Sequence, residues 1–485
     1  MRTYKNLIGG EWVGSVSGTT FQTRNPACID EVVGEYPASG RVEARQALDA
    51  AAVAFSGWAG QTPVARGRVL SQAAVVLAGR KKELAELLTR EEGKTVAEAT
   101  GEVQRAIDIF RFYGGVSYTL GGQTLPHDLP GNFLFTRREP LGVVALITPW
   151  NFPVAIPTWK LVPALLCGNA VVLKPASAAP ALTCELAKAL TEAGLPPGVL
   201  NVVTGDGRSF GDEVVQHRAV AGVSFTGSRG IGTQLYTNLA PRMVRSQMEM
   251  GGKNPTLVLA DADLDLAAKL VAIAGFGLTG QACTATSRVI VERPVLEAFT
   301  EKLIAKARAM VVGNGLKDGV TMGPAVSEGQ LQTNLDYVGI ATQEGGTVLT
   351  GGRRLTEGDH ARGWFMEPTV IGNVKPTSRL ACEEVFGPVV GIIGVDNFDE
   401  AIAVANGVEF GLSASLVTRD FAKAMRYVDR IQAGVVKVNQ VSTGLALQAP
   451  FGGVKGSSTD TFREQGLAAL DFYSRTRTVY LDYSA

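Results

Sequence analysis

The run Val143-Val144-Ala145-Leu146-Ile147, stopped by Thr148-Pro149, decides the fold class. Five apolar residues without alternation read as a strand buried on both faces, as a parallel sheet requires. Proline ends it, because it removes a ladder donor and restricts the residue before it. Ala170-Val171-Val172-Leu173 repeats the pattern and ends at Lys174-Pro175. Further strands are expected over 199–203 and 223–225, with a helix over 181–193 between the second and third. In such a strand–loop–helix series, residues at the strand C-termini face the ligand crevice of an open α/β sheet.

Outward from this series, Ala, Leu and Val at three-to-four spacing predict one helix over 44–55 and another over 66–90. A second strand series follows Gly251-Gly252, over 256–259, 288–291, 389–395 and 435–438, with helices such as 296–310 between. Two sheet-bearing domains with a cleft between them are the expected form. Residues 133–138 and 476–481 alternate as strands do but belong to neither series, which suggests edge strands used in assembly.

Composition narrows the function classes. The chain has 485 residues, 46% hydrophobic and 19% charged, enough to build a sizeable core. Lys plus Arg and Asp plus Glu are both 46, so nothing points to nucleic acid or an anionic membrane. The N-terminus lacks an apolar core of the signal-peptide kind and no run is long enough for a membrane helix, so a cytoplasmic protein is expected. Five scattered cysteines without a CxxC pair argue for a reducing compartment and against a disulfide framework. Four of them, Cys28, Cys167, Cys184 and Cys382, read as small buried hydrophobes. Three histidines are too few and too scattered for a triad, and no metal site is expected.

Three stretches carry chemistry. In Gly280-Gln281-Ala282-Cys283-Thr284 a cysteine sits between small residues after an apolar helical stretch, 272–278. In Glu249-Met250-Gly251-Gly252-Lys253-Asn254-Pro255 a glutamate between methionines has little to solvate it, which raises a carboxyl pKa and suits a general base. In Thr148-Pro149-Trp150-Asn151-Phe152-Pro153 an asparagine held between prolines offers a rigid amide donor for an oxyanion.

Together these motifs resemble the aldehyde dehydrogenase superfamily. Lys174-Pro175-Ala176, Phe225-Thr226-Gly227-Ser228, Glu383-Glu384-Val385-Phe386-Gly387-Pro388 and Pro450-Phe451-Gly452-Gly453-Val454-Lys455 follow in family order, so the resemblance runs nearly end to end. It implies two Rossmann-like α/β domains plus a β-strand oligomerisation arm. The NAD(P)-binding domain would be 1–121 with 141–251, the catalytic domain 252–447, and the arm 122–140 with 466–485. A homodimer or homotetramer would follow. By the same resemblance Cys283 attacks the aldehyde as thiolate, and Asn151 and the Cys283 N–H hold the oxyanion. Hydride then passes to nicotinamide, and Glu249 activates the water that hydrolyses the thioester. Acylating relatives lack that glutamate, so the free acid is the expected product. Glu464, in Phe462-Arg463-Glu464-Gln465-Gly466, matches a glutamate thought to assist proton movement, although a structural ion pair is an equal reading.

For the cofactor, Gly227-Ser228-Arg229-Gly230-Ile231-Gly232 is not the GxGxxG fingerprint. In the family the Gly-Ser turn still opens a helix facing the pyrophosphate. The resemblance assigns Ile147, Thr148, Pro149, Trp150, Lys174, Ser177, Gly207, Phe225, Gly227, Ser228 and Gly251 to the dinucleotide, and Glu384 and Phe386 to its nicotinamide end. NAD-preferring relatives often carry a glutamate where Ser177 stands, so NADP is expected to be preferred over NAD.

The resemblance implies a small aldehyde as substrate. Stretches 150–160, 280–291, 433–440 and 447–453 look like the subgroup that oxidises α-ketoglutaric semialdehyde (2,5-dioxopentanoate), whose 2-oxo acid end needs a cation. Arg105 and Arg111 lie six apart on a helix over 103–113, about 600° of rotation, so only one is expected to face a tunnel. Arg105 is the choice as clamp, with Gln448 a second substrate contact. Succinate-semialdehyde oxidation and broad aldehyde oxidation are the alternatives. A non-catalytic protein that kept the fold is disfavoured by the intact Cys283, Glu249, Asn151, Lys174 and Glu384.

Overall fold

Strands buried on both faces sit at the centre of their sheets. In the computed structural model, which describes residues 1–484, the first sheet has the order Arg245–Glu249, Val220–Thr226, Val143–Ile147, Ala170–Lys174, Leu200–Val202, Asn6–Ile8 and Glu11–Val13. The first five run parallel, and the N-terminal hairpin adds antiparallel. The chain enters at Val143–Ile147, steps to one side, then returns to lay Val220–Thr226 on the other. The strand order therefore reverses between these two neighbours, and the loops after Ile147 and Thr226 open into one crevice. Successive residues bury on opposite faces. Val144, Leu146, Val171 and Leu173 pack with the helices Pro63–Gly79 and Ala155–Cys167, while Val143, Ala145, Ala170 and Val172 pack with Arg41–Ala59 and Gly207–Gln216.

The second sheet has the order Thr347–Thr350, Thr369–Gly372, Val389–Val395, Thr286–Glu292, Asn254–Val258, Ser413–Val417 and Val435–Val438, parallel except for its first pair. The two alternating stretches pair with each other: Asn132–Pro140 and Ser474–Asp482 form an antiparallel ladder, with Thr124–Leu125 as its third strand.

Three readings are corrected. The stretch 66–90 is two helices, Pro63–Gly79 and Lys81–Glu92, broken at Arg80 with φ −111° and ψ 9°. Leu77, Leu84 and Leu88 all bury in the same cluster, so the apolar spacing runs through the break. The helix before the cysteine, Leu264–Phe276, stops two residues early. Leu278, Thr279 and Gly280 then take φ of 53°, 58° and 67°, three left-handed residues that turn the chain toward Cys283. Cys28 and Cys382 are half-buried, unlike Cys167 and Cys184, and all five cysteines are unbridged. Among the described residues no helix is long and apolar enough to cross a membrane, and no His, Cys, Asp and Glu group is placed to hold a metal.

Candidate active site

Cys283 borders a cavity of about 390 Å³ whose lining includes Glu98, Glu102, Arg105, Phe152, Trp159, Leu278, Thr284 and Thr443–Leu445. Burial pushes its thiol up to about 12, and the charges of Glu384, Glu249 and Glu464 act in the same direction. The resting group is therefore a thiol, and attack on a carbonyl needs a proton acceptor close by. Asn151 is buried and donates from Nδ2 to the Gln281 carbonyl at 2.9 Å, which ties the asparagine loop to the cysteine loop. One such hydrogen bond leaves the amide its second N–H.

Glu249 ends the strand Arg245–Glu249 and is buried. Its Oε1 accepts from the Ser458 hydroxyl at 2.8 Å and its Oε2 from the Gly453 N–H at 3.1 Å. Burial, followed by the charge of Glu464, nonetheless holds its carboxyl well above the usual range. The second carboxylate is a cause that the local motif did not reveal. Glu464 is itself buried against the Lys160 ammonium, which also donates to Ser224 Oγ at 2.7 Å. Backbone hydrogen bonds in both directions with Phe451 hold it there, and its Oε2 has no partner.

The crevice of the first sheet collects the next group. Thr148, Pro149 and Trp150 follow Ile147, and the hydroxyls of Thr148 and Thr226 are buried without partners. Lys174 ends its strand and donates only to the Pro175 carbonyl, at 2.9 Å; burial pushes its ammonium down to about 8 against the pull of Asp206. Gly207 packs on its stem, since a Cβ there would lie 3.5 Å from Lys174 Cε. Ser177 is exposed and donates to the Gly205 carbonyl at 2.9 Å. Gly227 leaves no room for a side chain: a Cβ would fall 2.6 Å from the Phe225 ring. The helix Arg229–Leu239 opens at Ser228 with no side-chain cap, so its first amides stay available to an anion.

On the other wall, Glu384 Oε1 accepts from the Gly252 N–H at 3.0 Å, and a Cβ on Gly251 would lie 2.1 Å from Glu384 Oε2. Burial pushes the Glu384 carboxyl up to about 7. Trp150 and Phe386 meet edge to face at 5.5 Å. Uncapped amides, two orphaned hydroxyls and an ammonium without an ion pair are the donors that a dinucleotide would satisfy.

At the cavity, Arg105 is half-buried and donates to the Leu445 carbonyl at 2.7 Å and to Gln465 Oε1 at 2.5 Å. Arg111 is exposed and pairs with Asp108. Gln448 is exposed and does not line the cavity. Sequence reasoning missed Lys94, Glu98, Glu102, Lys160, Ser458 and the segment 443–445. Glu98, Gly101, Glu102 and Arg105 share one helical face at three-to-four spacing, a signal that could have been found; Lys94 and Lys160 carry none.

The comparisons with known proteins agree with this geometry. The profile of the aldehyde dehydrogenase family matches residues 12–479. The chain is similar to an alpha-ketoglutarate semialdehyde dehydrogenase of Haloferax volcanii, 52% identical over 480 residues and 99% of both chains. It is also similar to an alpha-ketoglutaric semialdehyde dehydrogenase of Bacillus subtilis, 43% identical over 479 residues, 99% of this chain and 98% of the other. Among solved structures, an NAD-dependent aldehyde dehydrogenase from Sinorhizobium meliloti superposes with a TM-score of 0.96 at 35% identity, covering 100% of this chain and 95% of the other. A betaine aldehyde dehydrogenase from Staphylococcus aureus, in complex with NAD+, gives a TM-score of 0.96 at 33% identity, covering 99% and 95%. With two mostly parallel sheets and a cysteine whose thiol feels the charge of a buried glutamate, this chain belongs to the aldehyde dehydrogenase family and is an NAD(P)-dependent aldehyde dehydrogenase.

Proposed function

We propose that the enzyme oxidises α-ketoglutaric semialdehyde to 2-oxoglutarate. The observation that carries this reading is a half-buried cation, Arg105, in the wall of the cavity that Cys283 borders. An acidic aldehyde would place its carboxylate on Arg105 and its carbonyl at the thiol; the named activity of the Haloferax and Bacillus relatives supports that choice.

Cys283 passes its proton to the Glu249 carboxylate, which hands it on to solvent, and the thiolate adds to the aldehyde carbon. The oxyanion of the thiohemiacetal takes hydrogen bonds from Asn151 Nδ2 and the Cys283 N–H. Bound nicotinamide supplies the hydride acceptor, leaving a thioester on Cys283. Glu249 takes a proton from water, which attacks the thioester and releases the carboxylate and the free thiol. Lys160 and Glu464 carry that proton onward. Lys174, Thr148, Thr226 and the amides after Ser228 would hold the dinucleotide, with Glu384 and Phe386 available to its nicotinamide end. NADP is preferred, because Ser177 puts no charge beside Lys174 where NAD-preferring relatives often carry a glutamate.

Residues 1–121 with 141–251 form the dinucleotide domain and 252–447 the catalytic domain. Residues 122–140 and 466–484 form an arm that joins protomers into a dimer or tetramer; residue 485, also expected in the arm, lies outside the described residues. Unbridged cysteines support the cytoplasm as its compartment.

The test is a panel of acidic and neutral aldehydes with NADP and with NAD, for the native enzyme and Arg105→Met. Loss of one charge-assisted contact is expected to lower kcat/KM for acidic semialdehydes about 10- to 100-fold and leave a neutral aldehyde unchanged. Equal losses on both, or succinate semialdehyde outrunning the five-carbon substrate, would overturn the assignment; a preference for NAD would overturn the cofactor reading alone.

A further inference from the structure

The ammonium of Lys94 is fully buried, yet it contributes nothing to the steps above. It donates to Glu102 Oε2 at 2.5 Å and to the backbone carbonyl of Asn151 at 2.8 Å, and it lies 4.6 Å over the ring of Phe152. The other oxygen of Glu102 accepts from the N–H groups of Val154 and Ala155, both at 3.0 Å. One ion pair therefore grips the asparagine loop at a carbonyl and at two amides. One turn earlier on the same helix, Glu98 Oε1 accepts from the Leu278 N–H at 2.7 Å, where the chain turns toward Cys283. The helix Val96–Val116 thus touches the loops of both reacting groups.

A buried ion pair is a costly way to hold a loop, and an apolar pair of similar size is often as stable. What the charges add is direction, because each hydrogen bond fixes the position of one backbone group. We propose that Lys94 and Glu102 are positioning residues for the oxidation: they hold the loop so that Asn151 Nδ2 meets the oxyanion formed at Cys283. This rests on the reading of Asn151 as the oxyanion donor.

Lys94→Met alone would leave Glu102 buried without its partner, so the test uses Lys94→Met with Glu102→Gln. That pair removes the two charges of the ion pair and keeps an acceptor for the two amides, while Glu92, 3.8 Å from the same ammonium, still accepts from the backbone N–H at position 94. Glu102→Gln by itself, which leaves Lys94 the neighbouring Glu92 carboxylate, is the milder second variant. The readouts are kcat/KM for the aldehyde, KM for NADP and the midpoint of thermal unfolding, in the native and Asn151→Ala backgrounds. A misplaced donor is expected to lower kcat/KM about tenfold or more for the pair, and by a smaller factor for Glu102→Gln, with KM for NADP unchanged. In the Asn151→Ala background the same substitutions should have almost no further effect, because residues acting through one group are not additive. An equal factor in both backgrounds, or a lowered midpoint without a change in kcat/KM, would overturn the proposal. If Asn151→Ala itself leaves kcat/KM unchanged, the reading of Asn151 fails instead.

Discussion

At Cys283 three carboxylates and burial keep the thiol protonated, with burial the largest cause and Glu384 the next. Neutralising Glu384 removes a repulsive charge, so the thiol pKa falls and the thiolate fraction at a given pH rises. Glu384→Gln is expected to speed alkylation of Cys283 by iodoacetamide on the order of threefold above about pH 7, where the native carboxylate is charged. A slower reaction would contradict that electrostatic picture. In the proposed mechanism Glu249 has the opposite requirement, since a base must be ionised to accept a proton. Its raised pKa moves the acid limb of turnover above the ordinary carboxylate range. Below that limb a protonated Glu249 is expected to stall hydrolysis, and above it hydrolysis is expected to proceed. In Glu249→Gln the pre-steady-state burst of NAD(P)H should persist while steady turnover falls by about 100-fold or more. Stopped-flow absorbance distinguishes the two phases, and a lost burst with turnover intact would refute the role.

Among the elements, the turn 278–280 ahead of Cys283 matters most. Gly280 has φ 67°, and a Cβ there would fall 2.2 Å from the Gly387 carbonyl oxygen, next to Phe386. The nucleophile turn and the wall bearing Glu384 are thus in backbone contact, and only glycine allows it. Gly280→Ala is expected to cost roughly 2–4 kcal/mol in urea unfolding and to depress kcat, since relief must move either loop. A native-like stability would show that the contact is slack. The break at Arg80 has another character. Its two helices share one core, so the apolar pattern alone could not reveal where one ends.

For the molecule as a whole, the ladder of Asn132–Pro140 with Ser474–Asp482 leaves Phe133, Tyr480 and Leu481 exposed. Exposed apolar side chains on a sheet outside both domain cores are suited to a second copy. If the proposed arm joins protomers, Phe133→Asp with Leu481→Asp is expected to reduce the solution mass to that of one chain by light scattering; a native protein already monomeric, or a mass that the pair leaves unchanged, would overturn that role for the arm. Much of the architecture was legible beforehand. Val143–Ile147 and Ala170–Lys174 announce a parallel sheet because strands buried on both faces must be apolar throughout, and that signal is local. The residue types of Cys283, Glu249 and Asn151 in their motifs marked them as candidates for the same reason, since each proposed role needs one kind of side chain. By itself, then, the sequence determined the α/β class, the strand series and the candidates for the reacting groups. Only the tertiary structure decided that Lys94 holds the Asn151 loop, that Glu464 pairs with Lys160 and raises Glu249, and that Asn132–Pro140 meets the C-terminal strand. Those partners lie far apart in the chain, and no periodicity encodes which buried charge will face which. That is settled when the helices and sheets pack and each buried polar group must find its hydrogen bond.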